Sequence, residues 1–259
     1  MPNFLQNVQN FYFGEGVVGL IDEVGGVSIP EVGTVGENLA DGPPPDPTRS
    51  SRGPCSQGTT GFRKTTGDYG FLDVRAGSGV LPRTMAAWWR LDSLSGDQNV
   101  MSAMAQSSPA LFHYIGRYEH AFTTWIVHLH DGTSEVASGA ANPDPVVAGE
   151  WNFSGWSYDG QGNVYVHHNG YTRHASSTFL GFKRTGLVNT QFGLEFLTTE
   201  PGLLGDLSYI FTLDVALNPD GWARFWNDSF GRRYPDQFRW DDDAAAHAYF
   251  YDEGRDRHG

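Results

Sequence analysis

The chain has 259 residues, with 17 Lys or Arg against 30 Asp or Glu and a formal net charge of −13. Aromatic residues make up 14% of it, too many for a disordered chain, and the acidic balance argues against a general nucleic-acid binder. There is no apolar run long enough for a transmembrane helix and so no membrane insertion, while the single cysteine, Cys55, has no partner for an internal disulfide.

In chain order, the opening MPNFLQNVQNFYFGEG lacks a basic region followed by an apolar core, so it does not read as a signal peptide. Residues 41–58, DGPPPDPTRSSRGPCSQG, are expected to form a Pro- and Gly-rich loop. Short alternating segments then dominate, the pattern of antiparallel strands. In TMAAWWRLD, Met85, Ala87, Trp89 and Leu91 share one face, and Trp88 and Arg90 share the other. In AFTTWIVHLHDG, Trp125, Val127 and Leu129 form the apolar face, opposite His128 and His130. Residues 151–158, 164–168 and 171–175 read as three sequential antiparallel strands, with Asn169-Gly170 as a two-residue hairpin turn. In TQFGLEFLT, Phe192, Leu194 and Phe196 align; in LSYIFTLDVAL, Leu207, Tyr209, Phe211, Leu213 and Val215 align.

One segment reads as helix. Asn218 can cap it, Pro219 suits its first position and Gly231 can end it. Trp222, Phe225, Trp226 and Phe230 fall on one face, which predicts a short helix laid over a sandwich. The stretch 236–259 reads as an acidic and aromatic C-terminal arm, and its Tyr249, Phe250 and Tyr251 need a surface to pack on. The expected architecture is one all-β domain, a two-sheet antiparallel jelly-roll sandwich over residues 1–259 with one short C-terminal helix.

Four stretches carry a resemblance to a family. FYFGEGVVGLIDEVGGVSIPEVG is similar to the opening of laminin-G-like domains of the concanavalin A-like jelly rolls. TMAAWWRLD resembles their strand of threonine, small residues and tryptophan. GEWNFSGWSYDGQGNVYVHHNG resembles their tryptophan, strand, Asp-Gly, strand, Asn-Gly motif, and GLLGDLSYIFTLDVALNPDGWARFW their closing strand and helix. The resemblance spans nearly the whole chain. It implies a non-catalytic binding module for glycans or protein partners, with no cofactor unless calcium sits at one rim.

Enzymatic motifs are sparse. A glycosidase needs two carboxylates flanking one bond, and the glucanase string E-x-D-x-x-E is absent. His128 and His130, with Asp131 or Glu135 nearby, have the spacing of a cupin-like metal site, but the flanking glycines and the second histidine motif of cupins are missing. The other reading of these histidines is the polar face of an amphipathic strand. Trp88, Trp156 and Tyr158 are candidate sugar-stacking aromatics, and Asp159, Asn163 and Asn169 are candidate ligand residues in loops. The alternative is that Trp88 and Trp156 pack in the second sheet or under the helix.

Three function classes follow. The first is a non-catalytic structural or decoration protein of a virion, such as a bacteriophage's, assembled in the host cytoplasm. Its partners are other virion proteins or further copies of itself. This class reconciles a fold that usually works outside cells with a chain lacking a secretion signal and almost lacking cysteine. The second is a free, extracellular glycan-binding lectin. The third is an enzyme, a glycosidase or a cupin-like metal enzyme.

Overall fold

Period-two alternation along these segments produces two stacked antiparallel sheets. The computed structural model describes residues 8–13, 21–22, 29, 31–33, 35, 37–38, 51–55, 60–64, 75–76, 79–80, 83–105, 113–130, 135–139, 145–176, 188–194, 201–213 and 215–226. Its strands are β1 (Val8–Phe13), β2 (Ile21–Asp22), β3 (Glu31–Val32), β4 (Glu37–Asn38), β5 (Ser51–Cys55), β6 (Gly61–Lys64), β7 (Arg75–Ala76), β8 (Gly79–Val80) and β9 (Arg83–Leu91). They continue as β10 (Gln98–Ala105), β11 (His113–Glu119), β12 (Thr124–His130), β13 (Glu135–Gly139), β14 (Trp151–Tyr158), β15 (Asn163–His168), β16 (Tyr171–Ser176), β17 (Val188–Phe192) and β18 (Gly205–Leu213). Helix α1 (Pro219–Arg224) follows.

The first sheet runs β16–β15–β14–β9–β18–β1–β2, with β5 also on β18 and β4 beyond it. The second runs β13–β12–β11–β10–β17–β6–β3, and β7 and β8 pair as a ribbon. Every ladder between these strands is antiparallel, so the expected jelly-roll sandwich with one short helix is the observed fold.

The core lies between the sheets. Met85, Ala87, Trp89 and Leu91 of β9 enter it as the alternation predicts, facing Trp125, Val127 and Leu129 of β12. The Trp89 and Trp125 rings meet at 5.7 Å. Each fully buried side chain of this size contributes roughly 1.5–3 kcal/mol by leaving water. The hairpin β15–β16 turns at Asn169 (φ 44) and Gly170 (φ 90), the two positive φ angles that an Asn-Gly turn supplies.

Several expectations are corrected. Residues 51–55 of the predicted 41–58 loop form β5, and the remainder of that loop lies outside the described residues, as do the arm 236–259 and Phe196, Phe230 and Gly231. The strand expected through Phe192 and Leu194 ends at Phe192, because Gly193 turns the chain at φ 71. In β18 the single alternating face does not persist. A bulge between Ser208 and Phe211 shifts the register, so Leu207 and Ile210 both face the core, while Leu213 pairs with Thr84 on the other face. Val215 falls beyond the strand.

Candidate functional site

A sandwich offers a ligand its two outer faces and its rims. The outer face of the first sheet is closed by α1. Asn218 caps the helix, its Oδ1 accepting from Gly221 N–H at 2.8 Å. Trp222 lies flat on His167, ring centroids 4.7 Å apart and 5° from parallel, and its Nε1–H donates to Ser157 Oγ at 3.0 Å. This approach requires Gly155. A Cβ there would stand 2.5 Å from Met85 O and 2.7 Å from Trp222 Cη2. Trp226 stacks on Trp88 at 6.1 Å and on Phe153 at 5.8 Å.

This packing decides the aromatic candidates. Trp88 is 1% exposed beneath Trp226, and Trp156 and Tyr158 are 2% and 1% exposed in the inter-sheet core. None presents a ring for a sugar, so the expectation of exposed stacking aromatics is corrected at all three. The physical reason is topological: β14 is interior to its sheet, with core on one side and α1 on the other.

The predicted polar residues are spread over two turns. Asp159 closes the β14–β15 turn by accepting from Gln161 N–H at 2.7 Å, from Asn163 N–H at 3.0 Å and from Asn163 Nδ2–H. Partial burial pulls its carboxyl pKa up, but these hydrogen bonds outweigh that effect and hold it below the usual value. Asn163 Oδ1 meets His174 Nε2 at 2.9 Å. Both carboxylate oxygens of Asp159 are thus engaged in closing its turn. No group of three His, Cys, Asp or Glu among the described side chains could hold a metal. Asn169 stands at the other end of β15. Its Oδ1 accepts from Phe153 N–H at 2.8 Å and its Nδ2–H donates to Asn152 Oδ1 at 3.0 Å, which makes it a structural corner. Tyr249, Phe250 and Tyr251 lie outside the described residues.

Two buried polar assemblies brace the first sheet. Arg90 and Asp206 form a cross-strand ion pair, 8% and 2% exposed, with the Arg90 guanidinium 5.1 Å from the Trp151 ring centroid. His167 and His168 are both fully buried. Gly170 N–H donates to His167 Nε2 at 3.2 Å, so Nδ1–H is the donor to Thr172 Oγ1 at 2.8 Å. Burial, and secondarily the neighbouring His168, push the His167 pKa down to about 3; burial alone does the same to His168. His168 Nδ1 shares a 2.7 Å hydrogen bond with Ser154 Oγ, which also accepts from Trp89 Nε1–H.

The outer face of the second sheet is different in chemistry. The register lines up Arg63, Gln191, Ser102, Ile115, His128 and Ala137 as one cross-strand row. Its floor is buried at Ser102, Gln191 and Ile115, while Arg117, Glu119, Thr124, Ile126 and His128 are half-buried along one flank. Asn99 Nδ2–H donates to Ser102 Oγ at 3.0 Å, and Arg117 pairs with Glu119 at 2.7 Å. At the β11–β12 turn, next to Glu119 and Thr124, Phe122 is 71% exposed. Val146 N–H donates to Thr123 O there and brings the 145–150 loop alongside, with Val147 43% exposed. Ser102, Asn99 and Gln191 are as enclosed as Trp88, so what the second sheet leaves open to a ligand is its rim at the β11–β12 turn, where Phe122 and Val147 are exposed. Reading the segments singly misses this row, because Ser102, Ile115 and Arg117 stand in segments with weak alternation and the row exists only through strand pairing.

No family model matches the chain, and no curated protein matches it. Solved structures do. Domain 4 of an extracellular arabinanase from Geobacillus stearothermophilus, in complex with arabinotriose, matches with a TM-score of 0.58 at 14% identity, over 84% of this chain and 97% of that one. Botulinum neurotoxin type C, whose way into cells depends on interaction with two ganglioside molecules, matches with a TM-score of 0.60 at 11% identity over 87% of this chain. The binding domain of botulinum neurotoxin DC, in complex with rat synaptotagmin II, matches with a TM-score of 0.59 at 10% identity over 86%. This chain spans 52% of each toxin chain. At these identities the likeness is one of fold.

Proposed function

We propose that this chain is a non-catalytic glycan-binding module that receives its ligand at the β11–β12 rim of the second sheet. The observation that carries the reading is the contrast between the two faces. Helix α1 closes one with aromatic side chains, and the second sheet leaves Phe122 71% exposed at its β11–β12 turn, next to the half-buried Glu119 and its ion-pair partner Arg117. The arabinotriose and ganglioside associations of similarly folded proteins support it. The laminin-G-like resemblance supports the same class.

A glycan array with purified protein tests the reading, run with calcium and then with chelator. Binding is expected, and it is expected to weaken at least tenfold in Phe122→Ala while the melting temperature stays within a few degrees. Release of reducing ends from a bound glycan would replace the module by a glycosidase. Absence of binding to any glycan would overturn the reading. The test of the virion reading is whether truncation after Gln237 leaves folding intact and abolishes self-association or docking to other particle proteins.

A further inference from the structure

We infer that the β11–β12 rim selects an uncharged glycan, and that Asp92, Asp97, Glu119 and Glu150 turn away sialylated and sulfated ones. The inference rests on the glycan reading above and specifies its substrate class. Three loops make the rim, and hydrogen bonds knit them together. His120 N–H donates to Asp97 Oδ1 at 2.8 Å, and His120 Nδ1–H donates to Leu94 O at 2.7 Å. These bonds tie the β11–β12 turn to the β9–β10 turn. Val146 N–H donates to Thr123 O at 3.0 Å and Gly149 N–H to Leu91 O at 2.7 Å, so the 145–150 loop is tied to both. Phe122 stands exposed in this braced setting.

The charge of the rim is one-sided. Residues 91–98, 117–124 and 145–150 carry the carboxylates of Asp92, Asp97, Glu119 and Glu150 against the single guanidinium of Arg117. Asp92 and Glu150 are exposed, and Asp97 and Glu119 are half-buried. Arg117 does not offer its charge to a ligand. It lies 2.7 Å from Glu119 and 3.9 Å from Asp97, and its side chain is only 12% exposed. An anionic sugar would have to displace Glu119 to reach it. A loop the length of 145–150 reaches at most about 20 Å. At about 0.01 M salt the screening length is about 30 Å, so the carboxylates repel an anion held at Phe122. Hydroxyl groups meet no such repulsion. Carboxylate oxygens accept from them, and so does His120 Nε2, the nitrogen that the bond to Leu94 O leaves as an acceptor.

The test measures matched pairs of glycans on the full chain in about 0.01 M salt. The probes are N-acetyllactosamine with its sialylated form, and a cello-oligosaccharide with its sulfated form. The uncharged member of a bound pair is expected to bind about tenfold tighter or more, and the gap to narrow at about 0.5 M salt. The double variant Asp92→Asn/Glu150→Gln changes two exposed side chains, and its melting temperature confirms the fold. It is expected to narrow the gap about threefold. Equal binding of both members, or preference for the anionic one, overturns the inference and leaves the glycan reading standing. A gap that neither salt nor the double variant alters also overturns it, since shape would then be the selector. Binding of no glycan overturns both.

Discussion

Acidification is expected to unfold this protein unusually early, because His167 and His168 are folded in their neutral forms. In the unfolded chain each imidazole has the ordinary value of 6.5, whereas in the fold each sits at about 3. The sign follows from proton counting. Between those values the unfolded state binds protons that the native state refuses, so stability present above pH 6.5 is lost as pH falls towards 3. One pH unit is worth about 1.4 kcal/mol per proton, so at pH 5 each histidine costs about 2 kcal/mol and the pair about 4 kcal/mol. Against a typical total of about 5–15 kcal/mol, that is a large share. Geometry agrees with the sign, since a second proton on His167 would set Nε2–H against Gly170 N–H. Urea midpoints followed by tryptophan fluorescence at pH 7, 6 and 5 measure the loss, in a window above the carboxylate range. His168→Gln is expected to halve the slope. The double variant His167→Gln/His168→Gln measures what the remaining histidines contribute. A stability constant within about 1 kcal/mol from pH 7 to pH 5 would refute the reasoning.

Trp88→Ala is expected to lower stability by about 3–5 kcal/mol in denaturant melts, by opening a cavity under α1, and to leave the glycan array pattern unchanged. Gly155→Val drives a side chain into Met85 O and Trp222, with an expected loss of about 1–3 kcal/mol or more; near-UV circular dichroism should show the Trp222 environment change. Asp206→Ala strands the buried Arg90 charge and should cost about 3–5 kcal/mol. The double variant Arg90→Met/Asp206→Leu should recover most of that loss on the same melting curve.

Local chemistry made much of the fold legible. The alternation in β9, β12 and β14–β16, the Asn169-Gly170 turn and the Asn218-Pro219 helix start are all properties of adjacent residues, and they hold in the structure. The candidate site was less legible because it depends on which strands lie side by side. Trp88 and Trp156 alternate correctly, yet alternation does not say that a helix will cover one face of a sheet. The segments that became β10 and β11, QNVMSAMA and HYIGRYE, have weak alternation and a glycine at Gly116 against which Trp125 packs. Without them, the polar row of Gln191, Ser102 and His128 cannot be assembled. The bulge in β18 escaped for a similar reason, since it answers to pairing with β9 rather than to its own residues.

The position of β18 has a kinetic consequence. It lies between β9 and β1 in the first sheet, so a strand late in the chain joins one from the beginning to one from the middle. Until it is synthesised, β1 and β9 each lack the neighbour between them and expose open ladders. Such long-range closure is slow, because loop entropy is lost before the contacts form. A nascent or truncated chain ending before Gly205 therefore carries two bare strand edges, which are sites for mispairing with other chains. Completion of the first sheet is expected to be the late step of refolding, and the order in which amide protons become protected would record it.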